Sequence, residues 1–145
     1  MVALLDVNVL VALFDGAHIH HESAHYWFGR RRDAGWATCP LTENGFVRVI
    51  SSAAYPGRRT TVSDAIDRLR AFSQSGGHVF WEDSVSLRDA ALVDPGRIGG
   101  APRVTNVYLL ALALRRGGRL ATFDRKISRS AVAGAEARHL ALIEP

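Results

Sequence analysis

Short apolar runs and stripes of helical period alternate along the chain, with acidic, proline or glycine stops between them. Val2 to Leu5 form an apolar run that stops at Asp6. After Asn8, a residue suited to capping a helix, Val9 to Phe14 resume a dense apolar pattern, so strand, acidic turn and helix are predicted. From Glu22 to Asp33 the apolar residues Ala24, Trp27 and Phe28 keep helical spacing, Arg30, Arg31 and Arg32 lie where cations suit a helix C-terminus, and Gly35 is a stop. Trp36 to Cys39 is short and β-prone, ends at Pro40 and leads into Thr42-Glu43, after which Phe46, Val47 and Ile50 return to helical period.

Thr61 with Asp64 three residues on resembles a capping box, and Val62, Ala65, Ile66, Leu69 and Phe72 draw one apolar stripe up to the Gly76-Gly77 break. His78 to Trp81 reads as a strand, Ser84 to Val93 as a helix, and Asp94 to Pro102, with three glycines and two prolines, as a loop. Thr105-Asn106 opens a further helix that runs to Gly117-Gly118. The strand Leu120 to Phe123 then ends at Asp124, and His139 to Ile143 supplies the last strand. Strands alternating with helices predict an α/β fold, a mostly parallel central sheet with helices on both faces. With no internal repeat and no domain-sized linker, residues 1–145 are expected to form a single domain.

In such sheets the reactive site lies beyond the carboxyl ends of the strands. Asp6, Glu43 and Asp124 each come just after a predicted strand, which gathers three carboxylates at one edge. Taken singly, each acid is as well explained by the preference of helix starts for Asp and Glu. Their repetition at strand ends is what carries a functional reading. Clustered carboxylates repel one another unless a hard cation such as Mg²⁺ or Mn²⁺ lies between them, and such a cation activates water for attack on a phosphodiester.

Composition agrees with this picture. The chain has 145 residues, 48% of them apolar, with net charge +4 and a pI of about 10.0, a balance that favours a polyanionic partner. A lone cysteine, Cys39, and the absence of a signal pattern after Met1 point to a reducing cytoplasm. The apolar run from Val107 to Leu114 is too short to cross a membrane.

Other groups carry less. His18, His20, His21 and His25 cluster without the cysteines of a zinc site, and although His21 and His25 are one helical turn apart, His21 is better explained as a residue near the start of the second helix. Cys39 reads as a small buried hydrophobe. Trp27, Phe28, Trp36 and Phe46 read as core or subunit interface rather than as base-stacking platforms. Arg30, Arg31 and Arg32 read as a solvated helix end, whereas Arg115, Arg116, Arg119, Arg125 and Lys126 flank Asp124 in sequence and are candidate phosphate contacts. Asn8 and Thr122 are candidates to orient the acids. A dinucleotide-binding oxidoreductase is excluded by the turn Asp6-Val7-Asn8, which lacks the Gly-x-Gly-x-x-Gly fingerprint.

The segments LLDVNVLVAL, TENGFVRV and VTNVYLLALALRRGGRLATFDRKI resemble, in order and over nearly the whole chain, the signature regions of PIN-domain proteins, in particular the VapC-type toxins of bacterial toxin–antitoxin pairs. The resemblance implies a Rossmann-like three-layer α/β/α fold and a Mg²⁺- or Mn²⁺-dependent endoribonuclease. It also implies a homodimer held inactive by a cognate VapB-type antitoxin. It carries the metal-binding acids onto Asp6, Glu43 and Asp124, and places a further family acid at Asn106, where this chain has an amide. That departure leaves two expectations open: an enzyme that still cleaves RNA, or an impaired one that binds antitoxin or RNA without efficient cleavage.

Overall fold

The computed structural model describes residues 1–144. Strands β1 (Ala3–Leu5), β2 (Trp36–Thr38), β3 (His78–Phe80), β4 (Arg119–Thr122) and β5 (Leu140–Leu142) alternate with helices α1 (Val7–Phe14), α2 (His21–Arg31), α3 (Pro40–Ile50), α4 (Val62–Ser73) and α5 (Val104–Arg115). The sheet order is β3-β2-β1-β4-β5, and every pairing is parallel. This is the three-layer α/β/α arrangement that the alternation of elements predicts.

Side chains alternate across the strands and divide the core in two. Ala3, Leu5, Trp36, Ala121 and Ala141 face α1 to α4 on one side. Leu4, Ala37, Leu120 and Leu140 face α5 and the long loops on the other. Helix α5 buries Val107 and Leu109 to Ala113, nearly its whole circumference, which is why that stretch reads as an apolar run rather than a stripe.

Several boundaries differ from the sequence reading. Asp6, not Asn8, sits at the N-cap of α1, and Asn8 is exposed on the first turn. Helix α3 begins at Pro40, ahead of Thr42, whose hydroxyl accepts from the Cys39 N–H at 3.0 Å. The helix expected over Ser84 to Val93 is absent; the segment is a string of turns. Ser86 Oγ accepts from Arg88 N–H, Asp89 Oδ1 accepts from Ala91 N–H, and Val93 bridges to Val132. Short polar side chains bonding two residues ahead outcompete a helix there. Of the capping box expected at Thr61, the N-cap half is present, with Thr61 Oγ1 accepting from Asp64 N–H at 3.0 Å.

Two of the histidines, His21 and His25, serve the C-terminal end of α1. His21 Nδ1 and His25 Nε2 lie 2.7 and 2.8 Å from the carbonyls of Ala12 and Leu13, C-terminal groups that the helix leaves without partners. Their use as caps accounts for their spacing without a metal.

Where β4 begins, a Cβ added to Gly118 would stand 2.5 Å from the Val2 carbonyl and 2.6 Å from the Trp81 ring. The backbone contact cannot yield without breaking the β1–β4 ladder. Gly118→Ala is therefore expected to cost about 3 kcal/mol, the upper range for overpacking, and urea denaturation checks it through a lowered midpoint.

Candidate active site

The central strand β1 ends at Leu5, and Asp6 follows at the N-cap of α1, its amide donating to Ala121 O at 3.0 Å. Register then sets the rest, because Leu5 pairs with Ala121 and the next residue on β4 is Thr122. The Thr122 hydroxyl, fully buried, donates to Asp6 Oδ2 at 2.8 Å and accepts the Asp124 N–H at 3.0 Å. One side chain thus fixes the positions of two acids. Asp124 Oδ1 accepts from Lys126 N–H at 2.8 Å, and Asp124 Oδ2 accepts from the amide of Asn106 at 2.9 Å. Asn106 lies on the first turn of α5, the helix that covers this face.

Asp6 is only 5% exposed. Burial pushes its carboxyl above the ordinary carboxylate range, and the charge of Asp124 adds to the rise, while the Thr122 hydroxyl and the Val7 N–H oppose it. Among the described residues no ion pair includes Asp6, Glu43 or Asp124. A desolvated carboxylate beside a second one, with no cation on either, is an arrangement that a hard divalent ion would relieve. The carboxylate oxygens of Asp6 and Asp124 are the donor type that fits such an ion, and Asn106 turns its amide N–H toward Asp124.

Glu43 stands differently. Its Oε2 accepts from the Thr38 hydroxyl at 2.6 Å, and Thr38 Oγ1 lies 2.7 Å from His78 Nε2. Thr38 alternates with Trp36 onto the face of α1 to α4, whereas Thr122 alternates with Leu120 onto the face of α5. Glu43 therefore reaches the shared edge from the other face. Among the described residues, no three His, Cys, Asp or Glu side chains stand close enough to hold a metal ion. The structure brings Asp6, Asp124 and Asn106 together, and holds Glu43 on a separate support through Thr38.

Residues 3–133 match the PIN domain family. The chain belongs to that family. It is 46% identical over 143 residues to Ribonuclease VapC44 of Mycobacterium tuberculosis, covering 99% of this chain and all of that protein. It is also 46% identical to Ribonuclease VapC39 over 134 residues, 92% of this chain and 96% of the relative, and 49% identical to Ribonuclease VapC38 over 122 residues, 84% of each, both from the same organism.

Within this PIN domain the basic candidates separate by edge. Arg115 and Arg116 end α5 and Arg119 begins β4, so all three lie at the amino ends of the strands, opposite the acids. Arg115 pairs with Asp89 at 3.5 Å, Arg116 donates to Glu82 O at 3.2 Å, and Arg119 has a buried Nε without a partner. Arg125 and Lys126 follow Asp124 at the acidic edge, Arg125 paired with Glu144 and Lys126 exposed. Cys39 is fully buried and burial raises its thiol, which suits an inert side chain.

The sequence reading missed Thr38 and His78. A signal was present: Ala37-Thr38 closes β2 as Ala121-Thr122 closes β4, so the second threonine could have flagged the first.

Proposed function

We propose that this chain, residues 1–145 as a single PIN domain, is the toxin of a type II toxin–antitoxin pair. In this reading it is a Mg²⁺- or Mn²⁺-dependent endoribonuclease controlled by a VapB-type antitoxin. What carries the reading is likeness along the whole length to proteins named ribonucleases, joined to a buried Asp6 next to a half-buried Asp124, neither of them paired with a Lys or Arg among the described residues. Asp6 and Asp124 hold the ion, Glu43 adds a carboxylate from the neighbouring strand end, and Asn106 offers its amide oxygen. When bound, the ion would supply an activated water and charge stabilisation for attack on phosphorus. Thr122 keeps the two Asp carboxylates in register, and in this reading Arg125 and Lys126 contact RNA phosphate. Homodimerisation and action in the cytoplasm belong to the same proposal; no helix among the described residues is long and apolar enough to cross a membrane.

A second reading has its own support. The Asn106 amide donates to Asp124 where the family pattern has an acid, and so occupies an oxygen that the ion would use. A chain weakened in this way would bind antitoxin or RNA and cleave poorly. Incubation of purified protein with structured RNA separates the readings. Cleavage that appears with Mn²⁺ and vanishes with chelator is expected; no cleavage with either metal, at protein concentrations that bind RNA, sinks the first reading in favour of the second.

A further inference from the structure

Each strand on either side of β1 ends in a buried threonine that donates its hydroxyl proton to an acid of the edge: Thr122 to Asp6, and Thr38 to Glu43. A hydroxyl has one proton to give. With that of Thr38 directed at Glu43 Oε2 at 2.6 Å, the 2.7 Å contact between Thr38 Oγ1 and His78 Nε2 requires the imidazole to donate, so His78 carries its proton on Nε2. The ring is held for this role. It packs against Trp36 at 4.6 Å between centroids, and the indole N–H of Trp36 is anchored on Gly76 O at 2.9 Å. Burial lowers the affinity of His78 for a second proton, against a smaller opposing effect of Glu43, which favours the neutral ring.

We infer that Thr38 and His78 are positioning residues for Glu43, fixing one carboxylate oxygen so that the other is presented to a divalent cation at the acidic edge. The chain of contacts runs Trp36, His78, Thr38, Glu43, and its last bond leaves Oε1 of Glu43 as the oxygen without a hydrogen-bond partner among the described residues. A ligand carboxylate oriented through its second oxygen is the usual way an outer shell tunes a metal centre. The inference rests on the metal-dependent reading above.

Calorimetry with Mn²⁺ alone on the full chain tests it. Thr38→Val, which keeps the shape and removes the hydroxyl, is expected to weaken Mn²⁺ binding about 10- to 100-fold, and Thr38→Ser to retain wild-type affinity. His78→Leu is expected to weaken binding, and His78→Gln, whose amide N–H replaces the imidazole donor, to recover it. Nitrogen-15 NMR of the wild-type imidazole is expected to show the proton on Nε2, and this readout stands even where Thr38→Val does not fold. A folded Thr38→Val that binds Mn²⁺ as tightly as wild type or more tightly overturns the inference, as does a proton found on Nδ1. Absence of Mn²⁺ binding to the wild-type chain overturns instead the metal reading on which it rests.

Discussion

Asp6→Asn is expected to lower Mn²⁺-dependent RNA cleavage by on the order of 10³-fold, since a lost metal ligand removes several kcal/mol of charge stabilisation in the transition state, while making the metal-free protein more stable. The two effects share one cause. Asp6 is a carboxylate taken out of water beside Asp124, with a Thr122 hydroxyl and a backbone N–H as its compensation. Its pKa is raised in the folded state, and the sign of the stability effect follows. Unfolded aspartate ionises near pH 3.9, so as pH rises above that value the unfolded chain releases its proton first, and folding loses stability until folded Asp6 has ionised as well. The penalty then persists at neutral pH. Asp6→Asn removes it, while the amide oxygen still accepts from Thr122. Urea denaturation in chelator at pH 7 should show a higher midpoint for Asp6→Asn than for wild type, and the gap should close as pH falls below the unfolded value. Added Mn²⁺ should raise the midpoint of wild type by mass action and leave that of Asp6→Asn unmoved. A variant that cleaves as wild type does, or that is destabilised in chelator at neutral pH, would remove Asp6 from the proposed role.

The fold was largely legible because the features that decide it are local. Apolar runs ending in acids, the capping pair Thr61 and Asp64, and glycine breaks at Gly76-Gly77 and Gly117-Gly118 mark most element boundaries directly. The false helix over Ser84 to Val93 shows where locality fails, since the turns made by Ser86 and Asp89 and the bridge from Val93 to Val132 depend on side-chain bonds and on a distant segment. For the site, strand-end placement picked out Asp6, Asp124 and Glu43, and motif resemblance picked out Asn106. Periodicity counted from each strand separately gave no hint that Thr38 and Thr122 leave the sheet on opposite faces, because that depends on the register of β2 and β4 against β1. The phosphate-contact reading for Arg115, Arg116 and Arg119 rested on nearness in sequence to Asp124, yet all three stand at or just before the start of β4, whose length separates them from the acid at its other end.

Asn106→Asp tests what the chain does with an amide where the resemblance to PIN-domain proteins implies an acid. The amide now gives Asp124 Oδ2 a neutral donor at 2.9 Å, which holds the carboxylate without a cation. Replacing it with a carboxylate removes that donor and sets two anions in contact, with Asp6 close behind. The metal-free variant should therefore be less stable than wild type at neutral pH, and more nearly equal to it in acid, where the added group is protonated. With Mn²⁺ present the balance reverses. Two unit charges about 4 Å apart interact by on the order of 4 kcal/mol at an effective dielectric near 20, and the double charge of Mn²⁺ doubles that figure. Desolvation and the relief of repulsion already counted reduce that gain, so Mn²⁺ affinity is expected to rise about 10- to 100-fold. Cleavage at low Mn²⁺ should rise in step. If the substitution raises both affinity and cleavage, Asn106 is what limits the natural chain, and its amide serves to hold Asp124 in the metal-free protein. If affinity rises while cleavage does not, charge at this position governs metal loading alone and turnover is limited elsewhere at the edge. Should neither change, Asn106 lies outside the cation's reach, and the Asp6–Asp124 pair must be completed from the side of Glu43.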